Sequence, residues 1–153
     1  MSDDRTFTTA DLKKATSVRF AETRLVRFQD VDAAGIIFYP RVLEYMSDVY
    51  IAMVMQSGWD LPKELGQSSV GTPLVHAEAD YLSPLRFGDD VHVEIVGVRL
   101  GATSFTVGYR VRTKGGVVAA VGQTVHVCLD RATFKPQPIP DSLREILTGG
   151  APG

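Results

Sequence analysis

Phe28-Gln29-Asp30-Val31-Asp32-Ala33-Ala34-Gly35-Ile36-Ile37-Phe38-Tyr39-Pro40-Arg41-Val42-Leu43-Glu44-Tyr45-Met46 joins a strand to a helix. The strand ends at Phe28. Two carboxylates follow at Asp30 and Asp32, then a flexible point at Gly35 and an apolar run from Ile36 to Phe38. Pro40 opens the helix, because its fixed φ is helical and its missing N–H would be unpaired in the first turn anyway. A helix start offers free backbone N–H groups and a partial positive charge. The stretch therefore sets a carboxylate seven residues before an anion site. That pairing suits attack on a carbonyl whose oxygen becomes negative.

Upstream, residues 17–28 read as a strand. Val18 and Phe20 do not keep the alternation of Leu25 and Arg27, which predicts a bulge or break near Glu22. Residues 1–15 are polar and read as a flexible tail, although Thr9-Ala10-Asp11-Leu12 could start one helical turn. Downstream, Val42, Tyr45, Met46, Val49, Tyr50, Met53 and Val54 recur at three- and four-residue steps, one broad face of a helix that Gly58 ends. Ile51 and Ala52 widen that face, so the helix is buried on more than one side. Residues 59–70 form a polar connection. Four strands follow. Val75, Ala77, Ala79 and Tyr81 alternate with His76, Glu78 and Asp80, predicting one buried and one wet face. Val91, Val93 and Ile95 alternate with His92 and Glu94, with a bulge at Gly97 and a turn at Gly101. Phe105 to Val111 alternates, and Lys114-Gly115-Gly116 signals a hairpin. Val117 to Leu129 is apolar on both faces in places, hence central in a sheet or at a subunit contact. Asp141 reads as the N-cap of a last helix over 142–147. Strand, long helix and four antiparallel strands make an α+β protein in which a curved sheet covers one buried helix. Residues 16–148 form a single domain and 149–153 a C-terminal tail.

The 153 residues suffice for one sizeable core. A net charge of −2, from 16 basic and 18 acidic residues, leaves no electrostatic footprint for nucleic acid. No eighteen-residue apolar run predicts a membrane span. The first residues lack the basic and apolar parts of a signal peptide, and the lone Cys128 excludes an internal disulfide. These features predict a cytoplasmic protein.

Asp30 to Pro40 resembles the signature of hotdog-fold acyl-CoA thioesterases, specifically the 4-hydroxybenzoyl-CoA thioesterase family, roughly D-x-D-x-x-G-[IV]-[VI]-[FWY]-[YH] entering the long helix. The similarity continues through Gly71-Thr72-Pro73-Leu74-Val75, Tyr81 to Asp89, Ser104-Phe105 and Ile139-Pro140, covering about residues 18–147. It implies a hotdog fold, a homodimer or homotetramer, and active sites built across the subunit contact. It implies Asp32 as the catalytic carboxylate, either nucleophile or general base, and the backbone N–H of Tyr39 as the oxyanion donor. Phe38, Ser47, Thr72 and Arg99 become substrate contacts by the same resemblance. No metal and no bound cofactor is implied; coenzyme A belongs to the substrate.

Two departures bear on the substrate. Ser47 stands where the 4-hydroxybenzoyl enzyme has an Asp that reads the ring hydroxyl; a serine can hydrogen-bond but carries no charge. Leu100-Gly101-Ala102-Thr103 replaces a basic cluster that binds the nucleotide phosphates, leaving Arg99 as the nearest cation. Coenzyme A is then gripped differently, or the acyl group arrives on an acyl carrier protein. The expected activity is hydrolysis of an aromatic or medium-chain acyl-CoA. The alternatives are a carrier-protein thioesterase and a non-catalytic acyl-binding module. Among the remaining polar residues, Asp30 reads as structural. His76, His92 and His126 read as structural or solvated, Arg86, Arg110 and Arg112 as solvated, and Cys128 as a small buried apolar group.

Overall fold

The computed structural model describes residues 6–60, 63 and 68–149. Part of the expected connection at 59–70, and all but Gly149 of the C-terminal tail, lie outside these residues. The elements are α1 (Thr9–Lys14), β1 (Phe20–Leu25), a 3-10 turn (Phe28–Asp30), α2 (Tyr39–Gln56), β2 (Val70–Gly71), β3 (Leu74–Tyr81), β4 (Asp90–Leu100), β5 (Ser104–Thr113), β6 (Val118–Val127), β7 (Leu129–Asp130) and α3 (Asp141–Thr148). Five strands form one antiparallel sheet in the order β1-β4-β5-β6-β3. This sheet, with one long helix against its inner face, is the hotdog arrangement.

α2 is 18 residues long, about 27 Å at 1.5 Å per residue. Pro40 sits in its first turn, and Gly58, at φ 95°, follows its last. The seven residues of the expected face are all buried. They pack on the odd-numbered residues of β4 and β5, from Val91 to Ile95 and from Phe105 to Val111. The helix approaches the sheet closely at Gly122 of β6. A Cβ there would lie 2.9 Å from Met46 and 2.6 Å from the Glu78 carbonyl oxygen, so only glycine admits the contact.

β1 pairs with β4 in unbroken register from Phe20↔Ile95 to Leu25↔Asp90, so the expected break near Glu22 is absent. The irregularity sits on the partner strand, between Ile95 and Gly97, as the Gly97 signal predicted. The strand stops at Leu25, and Phe28 begins the 3-10 turn.

The outer face of the sheet is covered as well. In place of a loose tail, Thr9–Lys14 is a helix, started by a reciprocal capping box between Thr8 and Asp11. Its Leu12 is buried with Val96 and Val121, and Phe7 packs beside them. Gln123 accepts from the Phe7 N–H and donates to the Phe7 carbonyl, both at 2.8 Å. Glu94, on the polar side of the β4 alternation, and Arg110, expected to be solvated, are both buried. Arg110 Nε donates to Glu94 Oε1 at 2.9 Å, Arg112 donates to both Glu94 oxygens, and Arg110 Nη1 holds the Ala15 carbonyl at 2.7 Å.

β6 lies inside the sheet between β5 and β3, so its apolar residues are covered within the chain rather than by a partner. β3, opposite β1, is one of the two edge strands. Its residues are exposed on both faces except for the half-buried Ala79, against the expectation of one buried face. α3 begins at Asp141 with Pro140 as its cap, one residue from the expected start. It buries Leu143, Ile146 and Leu147, and Gly149 ends it at φ 78°.

Candidate active site

The junction between β1 and α2 is held from its centre by Asp30. This carboxylate is fully buried. It accepts from the Arg27 N–H at 3.0 Å, from the Arg27 guanidinium at 3.3 Å and from the Tyr45 hydroxyl at 2.7 Å, and Arg41 Nε stands 3.7 Å away. Burial alone would raise its pKa. The hydrogen bonds from Arg27 and Tyr45 and the Arg27 charge outweigh burial and hold it at about 2. Asp30 also fixes the loop through its carbonyl, which accepts from the Phe38 N–H at 2.8 Å.

Between these anchors, residues 31–37 form a small loop. Val31 bridges Ile37, the Asp32 N–H donates to the Ile36 carbonyl at 2.9 Å, and the Ile37 N–H donates to the Leu85 carbonyl at 2.8 Å. Gly35, at φ 81°, makes the turn. Asp32 lies exposed on this loop. Its Oδ1 accepts from the Ala34 N–H at 2.8 Å, and Oδ2 has no partner among the described residues. The loop thus pins the backbone at Asp32 and leaves one carboxylate oxygen open.

Asp32 and Tyr39 line one surface depression of about 390 Å³, with Ile36, Ile37, Tyr81 and Ser83 among its other walls. Tyr39 is the first residue of α2. Among the described residues its N–H meets no acceptor, as expected of a donor in the first turn. The Tyr81 hydroxyl, from β3, donates to the Tyr39 carbonyl at 2.5 Å.

A second depression, of about 380 Å³ and mostly apolar, lies further along α2. Ser47 and Thr72 both line it, together with Leu43, Tyr50, Trp59 and Ala77. Tyr39, Leu43, Ser47 and Ile51 follow at four-residue steps, so both depressions open on one face of α2. β3 runs alongside, with Tyr81 at the first depression and Ala77 at the second. Eight residues from Tyr39 to Ser47 amount to a rise of about 12 Å.

Phe38 and Arg99 line neither depression. The half-exposed Phe38 ring packs on Tyr39, centroids 5.3 Å apart. Arg99 donates to the Thr6 carbonyl, lies 4.2 Å over the Phe7 ring and stands 3.9 Å from Asp11, so it fastens the segment around α1.

Three hydrogen-bonded residues of the second depression were among those not singled out as site residues. Tyr109, Thr124 and His126 carry its polar side. His126 Nε2 lies 3.0 Å from Thr124 Oγ1, and Tyr109 Oη lies 2.9 Å from the same oxygen. The imidazole is stacked between Tyr50 and Phe105, at 4.9 Å from each ring centroid. Burial pushes its pKa down to about 4, against a hydrogen bond to the Thr72 backbone that raises it, so the ring is neutral at pH 7. The available signal was the even-numbered positions of β6, which continue the face that holds Ala120 and Gly122 against α2. Tyr81 was likewise legible only as a strand residue.

A family model for the thioesterase-like superfamily matches residues 26–147. The 1,4-dihydroxy-2-naphthoyl-CoA hydrolase of Nostoc punctiforme is 35% identical over 128 residues, 84% of this chain and 86% of that protein. The enzyme of the same name from Synechococcus elongatus is 35% identical over 125 residues, 81% of this chain and 91% of that one. Among solved structures, a 1,4-dihydroxy-2-naphthoyl-CoA thioesterase from Synechocystis shares the fold at TM-score 0.80 and 24% identity, covering 84% of this chain and 95% of that one. A gentisyl-coenzyme A thioesterase superposes at TM-score 0.72 and 29% identity, covering 81% and 98%. The match spans the Asp32 loop, α2 and both depressions, and on it the chain belongs to the thioesterase-like superfamily as a thioester hydrolase of hotdog fold.

Proposed function

We propose that the protein hydrolyses the thioester of an aromatic acyl-CoA, with Asp32 as catalytic carboxylate and the Tyr39 N–H as oxyanion donor. The observation that carries this reading is that Asp32, with one oxygen unpartnered, and the unpaired Tyr39 N–H border the same depression at the start of α2. Asp32 either attacks the thioester carbonyl, giving an acyl-aspartyl anhydride that water then hydrolyses, or takes a proton from the water that attacks the same carbonyl. The oxygen that becomes negative is met by the Tyr39 N–H and the positive end of the helix, and coenzyme A leaves as thiolate. One oxyanion donor supplies about 3–4 kcal/mol and a positioned base about 10²–10⁴-fold, enough for an activated ester.

The aromatic assignment rests on the second depression, walled by Tyr50, Trp59 and Tyr109, and on relatives named for dihydroxynaphthoyl-CoA and gentisyl-CoA. The neutral Ser47 favours these acyl groups over 4-hydroxybenzoyl, whose reader in the resembling enzyme is charged. Ser47 and Thr72 border the acyl group, and Phe38 shields the entrance beside Tyr39. With Arg99 engaged at α1, the coenzyme A phosphates find their cations elsewhere. The lone thiol, Cys128, is buried and suits a cytoplasmic enzyme. The exposed edge strand β3 is where a second copy joins to give a homodimer.

The test is thiol release from benzoyl-, hydroxybenzoyl-, phenylacetyl-, dihydroxynaphthoyl- and straight-chain acyl-CoA, with carrier-linked acyl groups alongside. Hydrolysis of an aryl-CoA is expected, with Asp32→Asn slower by about 10²-fold or more. An Asp32→Asn variant as fast as the parent would remove Asp32 from the mechanism, and turnover of carrier-linked groups alone would replace the substrate.

A further inference from the structure

The second depression is apolar on most of its wall and polar on one side, and that polar side is already wired. His126 Nε2 lies 3.0 Å from Thr124 Oγ1, and Tyr109 Oη lies 2.9 Å from the same oxygen, so the three groups form a hydrogen-bonded chain. A hydroxyl carries one proton and two lone pairs, so Thr124, with two partners, and Tyr109, with one, keep hydrogen-bonding capacity beside an aromatic-walled space.

We propose that Thr124 and Tyr109 determine specificity in the acyl pocket by hydrogen-bonding a ring hydroxyl of an aryl acyl group. His126 acts as a positioning residue that holds the Thr124 hydroxyl in place. The proposal rests on the aryl-CoA thioesterase reading above and deepens it. A deoxy ring leaves this hydrogen-bonding capacity unused, which is how a built polar site rejects an analogue lacking the partner group.

The experiment compares matched acyl-CoAs whose ring carries hydroxyl or hydrogen, and reads the hydroxyl-to-hydrogen ratio of kcat/KM. Damage to the fold or to the pocket's shape lowers both numbers together and leaves the ratio in place. The parent is expected to prefer the hydroxylated ring over the deoxy ring by about tenfold, the worth of one neutral hydrogen bond. Thr124→Val should bring the ratio close to one, Thr124→Ser should restore it, and Tyr109→Phe and His126→Phe should each reduce it. The same rings on non-hydrolysable coenzyme A thioethers, measured by calorimetry, give the preference as a ratio of Kd without turnover. If the parent released no thiol but bound the hydroxylated thioether better in a Thr124-dependent way, the hydrolase reading would fall and the hydroxyl reader would stand. A ratio unchanged in Thr124→Val, or a preference abolished by Ser47→Ala alone, would overturn the proposal.

Discussion

Asp30 and Asp32 are two residues apart and of one chemical type, yet the loop gives them opposite environments. Asp30 is buried and wrapped by Arg27 and Tyr45; Asp32 is exposed with an oxygen to spare. Stability should therefore respond to acid in two steps. His126 has a folded-state pKa of about 4 against an ordinary 6.5, so the unfolded chain protonates first as pH falls below 6.5. That costs about 2 kcal/mol between pH 7.5 and pH 5. Asp30, lowered from 3.8 to about 2, contributes stability above pH 4 that disappears as pH falls toward 2, about 2 kcal/mol more. Urea unfolding at pH 7.5 and pH 5 checks the first step: His126→Gln should flatten the difference, and an undiminished one would assign it to other groups. The catalytic role proposed for Asp32 comes from the family resemblance, while the structural role of Asp30 was legible in the sequence. That of His126 was not, because a histidine on an alternating strand looks the same facing water or a cavity until the neighbouring strands fix which side is inside.

At the scale of elements, the buried face that alternation predicted for β3 is absent, but α2 and the positions of the four long strands could be read directly from seven apolar residues at helical steps and from runs of strand-forming residues. α1 could not. Its attachment depends on Phe7 and Leu12, two isolated apolar side chains without periodicity, and on the space left by a cross-strand pair of glycines. Gly97 faces Gly108 across β4 and β5. A Cβ at Gly97 would lie 2.8 Å from the Phe7 ring, and one at Gly108 would lie 2.5 Å from Leu12. The capping pattern Thr8-x-x-Asp11 was the one local signal for the helix. Gly108→Val should lift α1 from the sheet while the inner core stays intact. Limited proteolysis would then cleave near residue 15 several times faster than in the parent, at little change in unfolding midpoint. Equal cleavage would mean that α1 is held chiefly by Gln123 and Arg110.

For the whole molecule, β3 decides what happens next. An edge strand with Leu74, Val75 and Tyr81 about half exposed invites pairing with another chain. Sedimentation at micromolar concentration should give at least twice the 16.7 kDa of one chain, and a monomer would remove the dimer from the reading. The bond from Tyr81 to Tyr39 then acquires a meaning beyond architecture. The strand proposed to meet a second copy holds, through one hydroxyl, the carbonyl of Tyr39, the residue whose N–H is proposed as the oxyanion donor. On the proposed dimer, abundance would control chemistry: a cell with few copies would carry a population of slack, slow monomers. Specific activity should decline on dilution through the self-association range, and Tyr81→Phe should make the decline begin from a lower plateau.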